Sequence, residues 1–294
     1  MNDYDKIDLH MHTTVSDGTD TPEQILEYVK EAGIDLFSVT DHDAVKGGEK
    51  LLKVLKPGDP KFLTGAEFSC KEFTAGGKQE KYHILGYGYD PEAPAMRQVV
   101  ETGHAYRMEK LEMRLKGLEA EYGFTFSKED HAALYSMDNP GKPHIGNLMV
   151  KYGYTETKDQ AIYQYINKLH VRGQYFRPKE AIEGILGAGG IPVLAHPSYG
   201  SGDQLILGEE MDERLRKLMD FGLQGVEAFY SGFTPPIQRE VLSFADKYHL
   251  YVTAGSDYHG RNKMVVLGDT NLDSRDPYPE GLMRFLEDLR PKMV

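Results

Sequence analysis

At 294 residues, with 40% apolar and 27% charged side chains, the chain can bury one large barrel-type domain, or a barrel with a smaller insert, and nothing in it reads as disordered. A net charge of −12 excludes the basic surface that non-specific binding to duplex nucleic acid needs. It leaves room for a phosphorylated substrate, because bound divalent ions can reverse the field locally.

In chain order, short apolar or β-branched runs predict strands over residues 6–12, 36–40, 62–68, 82–87, 191–196, 225–230 and 250–256. Between the first two, Thr21-Pro22-Glu23-Gln24 opens a helix whose apolar face is Ile25, Leu26 and Val29, and Gly33 closes it. The strand-then-helix unit returns after Arg177-Pro178, where residues 181–188 run into Gly189-Gly190 and a new strand. Alternation of this kind predicts a parallel sheet, and seven strands suggest a barrel. The rhythm breaks once. Residues 91–170 read as helical and polar, with 107–122 the longest stretch, so an all-helical insert is expected between barrel halves at 1–90 and 171–294. The longest apolar runs, such as residues 191–195, are far too short to cross a membrane. Met1-Asn2-Asp3-Tyr4-Asp5 lacks the pattern of a signal peptide, and Cys70, the only cysteine, allows no internal disulfide. A cytoplasmic location is therefore expected.

Metal-type residues gather where the strands end. The first strand closes on His10-Met11-His12, which puts both imidazoles on one face because side chains alternate, and Asp17 follows in the loop. The second ends in Thr40-Asp41-His42-Asp43 and the third in Gly65-Ala66-Glu67; the fourth carries His83. The fifth ends in Ala195-His196-Pro197 and the last in Gly255-Ser256-Asp257-Tyr258-His259. In parallel α/β barrels this rim is where active sites form. One histidine at a strand end is more often a capped polar residue than a ligand. Six such ends are hard to explain by packing, since uncompensated buried imidazoles and carboxylates are costly. His10, His12, Asp17, His42, Glu67, His83, His196, Asp257 and His259 are therefore candidate ligands, whereas His104, His131, His170 and His249 fall in predicted helices or connections and need no metal.

With these motifs in order, Ser16-Asp17-Gly18 among them, the sequence closely resembles the PHP (polymerase and histidinol phosphatase) family of metal-dependent phosphoesterases over nearly its whole length. The resemblance implies a distorted (β/α)7 TIM-like barrel, the PHP fold, binding two or three divalent metals. It further implies that His10, His12, Glu67 and Asp257 hold one ion, with Glu67 bridging to a second held by His83 and His196. Asp17, His42 and His259 would hold a third, making a trinuclear site with Glu67, Asp257 and His259 at the catalytic heart. The mixed imidazole and carboxylate donors suit Mn, with Fe or Zn as alternatives, better than Mg. Clustered cations would give a hydroxide nucleophile near neutral pH and spread the charge of an in-line transition state. Ser69 and Cys70 have no base fixed by spacing, so covalent catalysis is not expected.

The helical insert is the expected specificity element. Its Gly141-Lys142-Pro143-His144-Ile145 resembles a basic-Pro-His segment of the phosphatase-like PHP subgroup, with lysine in place of the more usual arginine. Lys142, His144, Arg177 and Arg107 are the candidate substrate-binding residues; for the arginines, as for Arg114, a solvated helix face is the alternative. The expected reaction is hydrolysis of a small phosphate ester: a nucleotide, a 3′,5′-bisphosphate nucleotide, or a cyclic or sugar phosphate. The alternatives are a 5′-to-3′ exonuclease on short oligonucleotides and a histidinol phosphatase. A polymerase-attached module has no chain left for a polymerase, and C–N hydrolysis commonly uses a bridging lysine where Glu67 stands. Gly187-Ala188-Gly189-Gly190 precedes a strand and is a helix end rather than a dinucleotide loop.

Overall fold

The computed structural model describes residues 4–74, 76–171, 173–200 and 204–294. The first half runs β1 (Ile7–Asp8), α1 (Pro22–Glu31), β2 (Leu36–Phe37), α2 (Lys46–Val54), β3 (Lys61–Phe62), β4 (Gly65–Phe73) and β5 (Gln79–Tyr87). Helices follow: α3 (Pro94–Tyr122), α4 (Lys128–Tyr135), α5 (Lys142–Lys151) and α6 (Lys158–Gln160), the last running into a π-helical turn, Ala161–Tyr165. The alternation then resumes with α7 (Pro178–Gly187), β6 (Ile191–Leu194), α8 (Gly208–Asp220), β7 (Gly225–Tyr230), α9 (Pro235–Tyr248), β8 (Tyr251–Gly255) and α10 (Glu280–Leu289). Among the described residues, no helix is long and apolar enough to cross a membrane.

The strands form two sheets, β1-β2-β3 and β4-β5-β6-β7-β8. The all-parallel expectation is corrected in the middle. β4 and β5 form an antiparallel hairpin, and β5 also runs antiparallel to β6. The run expected as one third strand is in fact two: β3 pairs with β2, and after two residues β4 pairs with β5 instead. The sheets meet at two places. Leu9 N–H donates to Ala254 O (2.9 Å) with a bridge from Met11 to Tyr258, and His42 bridges to Glu67. Both junctions fall among the metal-type residues.

Local chemistry explains the scaffold. Thr21 and Gln24 form a reciprocal capping box at the start of α1, whose Ile25, Leu26 and Val29 bury against Phe37 and Phe62. β6 and β7 are buried along their whole length, as strands covered on both faces must be. At Gly255 a β-carbon would lie 2.2 Å from His10 Cβ and 2.5 Å from Glu227 Oε1, so only glycine lets β8 pass this close to the first strand. α3 is rooted in two cores: Met96 and Val99 pack in the main one, while Leu111, Leu115 and Leu118 belong to a second, purely helical core with Ile145 and Met149. Gly103, midway along α3, admits Phe176 and Asp43 to its backbone.

Candidate metal centre

Glu67, 1% exposed at the start of the hairpin, is the hub of the site. His83 Nδ1 lies 2.9 Å and His196 Nε2 3.3 Å from its Oε1, while His42 Nδ1 lies 3.0 Å and His12 Nε2 3.3 Å from its Oε2. His10 Nε2 stands 3.5 Å from both Glu67 Oε1 and Asp257 Oδ1, and His12 Nε2 is also 3.5 Å from Asp257 Oδ1. Asp17 Oδ1 collects His259 Nε2 (3.3 Å), His12 Nδ1 (3.7 Å) and His42 Nε2 (3.9 Å). The structure thus brings all nine expected ligands into one cluster. Donor atoms of eight of them fall into three overlapping groups: His10, His12 and Asp257; His42, Glu67 and His83; and His12, Asp17, His42 and His259; His196 joins the cluster through Glu67.

These residues fit metal ions on grounds internal to the structure. His10 Nε2, His12 Nε2 and Asp17 Oδ1 are buried without any hydrogen-bond partner, and each points at neighbouring donors. Buried polar atoms are rarely left so, and cations held in these groups would satisfy them. Asp43, His196 and Asp257 hold positive φ angles of 48°, 29° and 60°, a backbone cost that clusters at functional sites.

A second layer aims the ligands. Glu227, in the middle of β7 and fully buried, accepts from His10 Nδ1–H (2.8 Å) and from the His196 backbone N–H (2.8 Å), turning Nε2 of His10 toward Glu67 and Asp257. Asp41 accepts from Thr13 N–H, Thr13 Oγ1–H and Ser16 Oγ–H at 2.7–2.8 Å, fixing the loop that carries Asp17. Tyr230 donates to Asp257 Oδ2 (2.8 Å), and Lys263 pairs with the same oxygen. Burial, then His259 and His42, pushes His12 down to about 3, so its ring is in the neutral, coordinating form. Burial raises Glu67, but His83, His42 and His10 outweigh it and hold the carboxyl well below its usual range.

The expected substrate residues separate. Arg107 reaches the rim, its Nε donating to Asp43 Oδ2 (2.5 Å) and its Nη2 to Ser69 Oγ (3.1 Å). Lys142 lines the cavity next to the cluster and donates to Asn167. His144 Nδ1 instead accepts from the Gly141 N–H (2.9 Å), capping α5. Arg177 is 67% exposed in a 3.5 Å pair with Glu72 and lines neither cavity at the cluster. Two such cavities share Asp17, His42 and His83. One, of about 260 Å³, is walled by lysines and arginines; the other, of about 300 Å³, reaches Lys158, Asn262 and Lys263. Glu227 escaped sequence reasoning, although an acid between Val226 and Ala228 in an apolar strand is itself a sign of a buried partner.

The sequence pattern of the PHP domain matches residues 8–226. The chain belongs to the PHP family. Among PHP relatives, a phosphoribosyl 1,2-cyclic phosphate 1,2-diphosphodiesterase of Eggerthella lenta is 29% identical, over 86% of this chain and 94% of its own. A 3′,5′-nucleoside bisphosphate phosphatase of Chromobacterium violaceum is 30% identical, over 86% and 87%. A 5′-3′ exoribonuclease of Haemophilus influenzae is 26% identical, over 92% and 96%. The structure of a candidate metal-dependent phosphoesterase from Bifidobacterium adolescentis superposes with a TM-score of 0.77 at 26% identity, covering 95% of each chain. Phosphate ester hydrolysis, the activity expected from the sequence, is thus what these PHP relatives are named for.

Proposed function

We propose that the protein hydrolyses a small phosphate ester at a two- to three-ion centre held by His10, His12, Asp17, His42, Glu67, His83, His196, Asp257 and His259. The observation that carries this reading is the convergence of buried, partnerless donor atoms from separate strand ends around Glu67. The donors include no thiolate, which favours Mn over Zn. When bound, the ions supply Lewis acidity to the phosphoryl oxygens and acidity to a water nucleophile. The chain's residues do the rest. Glu227 and Asp41 hold ligands in register, and Tyr230 and Lys263 orient Asp257. Lysines and arginines beside the cluster attract the anionic substrate to an otherwise acidic chain.

The two sheets and their junctions support the distorted (β/α)7 barrel, with residues 91–170 as a helical cap over the rim. The substrate class we favour is a bisphosphate or cyclic phosphate nucleotide or sugar, as in the Eggerthella and Chromobacterium relatives. A 5′-to-3′ exonuclease acting on short oligonucleotides is the second reading, favoured by the Haemophilus relative, which aligns over 96% of its length. The single cysteine, buried and free, suits a cytoplasmic setting. A phosphate-release screen with Mn-loaded protein over bisphosphates, cyclic phosphates, sugar phosphates and short oligonucleotides tests the reading. Release from at least one class, abolished by chelator, is expected. No release, or release indifferent to chelator, rejects it.

A further inference from the structure

The cavity of about 260 Å³ beside the cluster has an unusual charge balance. Lys110 and Arg114, one turn apart on α3, are only 6% and 8% exposed, and neither has an ion pair with a carboxylate among the described residues. Lys71, half-buried on β4, likewise lacks one, and Lys81 stands directly across the hairpin from it. Lys71 and Lys110 find relief in the ring of Tyr175. The Lys71 ammonium lies 3.3 Å and the Lys110 ammonium 3.8 Å from its ring centroid. Tyr175 is brought there by its neighbour Phe176, whose backbone bridges to Cys70 at the hairpin edge. Of the nearby acids, Asp43 is held by Arg107, and Asp17 faces the metal side. A chain with a net charge of −12 has carboxylates to spare, yet among the described residues none forms an ion pair with Lys71, Lys110 or Arg114. Burying unpaired charge is costly unless a ligand completes the site.

We infer that this cavity binds a second, non-reacting phosphate group of the substrate, gripped by Lys71, Lys110 and Arg114. The inference rests on the phosphoester reading above and narrows it to substrates with two phosphate groups. Size allows this, since a cavity of about 260 Å³ has room for a phosphate group beside Asp17, His42 and His83. Position supports it too, because Asp17, His42 and His83 line both the cavity and the metal centre, letting one molecule span them. Arg114 offers the planar fork that grips phosphate at two points. Burial, followed by Arg107, pushes Lys110 down to about 7, a tension that an arriving dianion relieves.

The test compares Mn-loaded wild-type protein with the Lys110→Met/Arg114→Met double variant on adenosine 3′,5′-bisphosphate, adenosine 5′-monophosphate and a short 5′-phosphorylated oligonucleotide. The wild-type preference in kcat/KM for the doubly phosphorylated substrates should collapse by about ten- to a hundredfold, the usual loss for a charge-assisted bond. Collapse for the bisphosphate alone assigns the second phosphate to a small molecule, and collapse for the oligonucleotide alone assigns it to a phosphodiester. Equal losses on all three substrates, or none, overturn the inference. Calorimetric titration with inorganic phosphate gives an independent readout: two ions per chain in the wild type and one in the variant. An unchanged stoichiometry overturns the cavity site. One ion in the wild type and none in the variant keeps the cavity while removing the metal-centre reading. Should the double variant fail to fold, Lys71→Met, at a half-buried position, carries the same comparisons.

Discussion

The metal cluster and the cavity beside it share Asp17, His42 and His83, yet they treat charge in opposite ways. In the cluster every carboxylate is ringed by imidazoles, and Glu227 behind His10 holds that ring in place. In the cavity, cations lean on an aromatic ring and on one another. The first is organised before any ligand arrives, because ligand geometry decides metal affinity. The second stays uncompensated, because charge left unpaired by the protein is what an anion can claim. Four experiments break or sharpen that contrast.

The largest effect is expected at the hub. Glu67→Gln removes the negative charge that faces His10, His12, His42, His83 and His196 at 3.5 Å or less. Metal content should fall by at least one ion and turnover by more than about a hundredfold, beyond the range for outer-layer partners. Elemental analysis beside kcat checks it; full occupancy at wild-type rate would show Glu67 to be structural. Next comes Glu227→Gln, which weakens the aim of His10 and His196 without deleting a ligand. A drop of about 10–100-fold in metal affinity is expected, with most of the turnover recovered at excess metal. Loss that excess metal cannot restore would put Glu227 in the chemistry rather than behind it.

A pH series separates the cluster's two states. In the metal-free protein, burial lowers His42 but Glu67 and Asp17 raise it more, to about 9 from 6.5. The raised imidazolium contributes stability that is fully present below 6.5 and is lost as pH rises through about 9. Metal needs the neutral ring, so loading strengthens over the same window. The Tm difference between loaded and stripped protein should therefore widen from pH 6.5 to 9; a constant or shrinking difference would mean that His42 is not a ligand. The smallest effect is expected at Arg177, whose exposed pair with Glu72 lies off both cavities. Arg177→Ala should cost at most about 1 kcal/mol in stability and leave substrate preference untouched. A changed preference would extend the anion site along the hairpin.

The candidate ligands were legible because their chemistry is concentrated at strand ends and repeats with strand spacing, as at His10 and His12. The anion cavity was not. Lys71, Lys110, Arg114 and Tyr175 come from a hairpin, one helix and a connecting segment; Arg114 alone was weighed in the sequence, against a solvated helix face, and nothing in the sequence singles out the other three. Arg177 was misleading for the complementary reason: its place before a rim strand fixes its backbone but not where its side chain goes. The antiparallel course of β5 was hidden as well, since a buried apolar run such as Ile84-Leu85 looks the same in either direction.

That hairpin has a consequence for how substrates are measured. Glu67, Ser69 and Lys71 fall on one face of β4, while His83 and Lys81 stand opposite Ser69 and Lys71 on β5. One hairpin therefore carries both a hub of the metal centre and a post of the anion site, about 14 Å apart along the strand at roughly 3.4 Å per residue. It is a ruler. Lengthening each strand by two residues between the marks would keep every side chain on its face and move the far post by about 7 Å, whereas one residue would turn it to the opposite side. Relatives that share the metal chemistry can differ in the span of the molecules they accept simply by where along this hairpin the positive charge is placed.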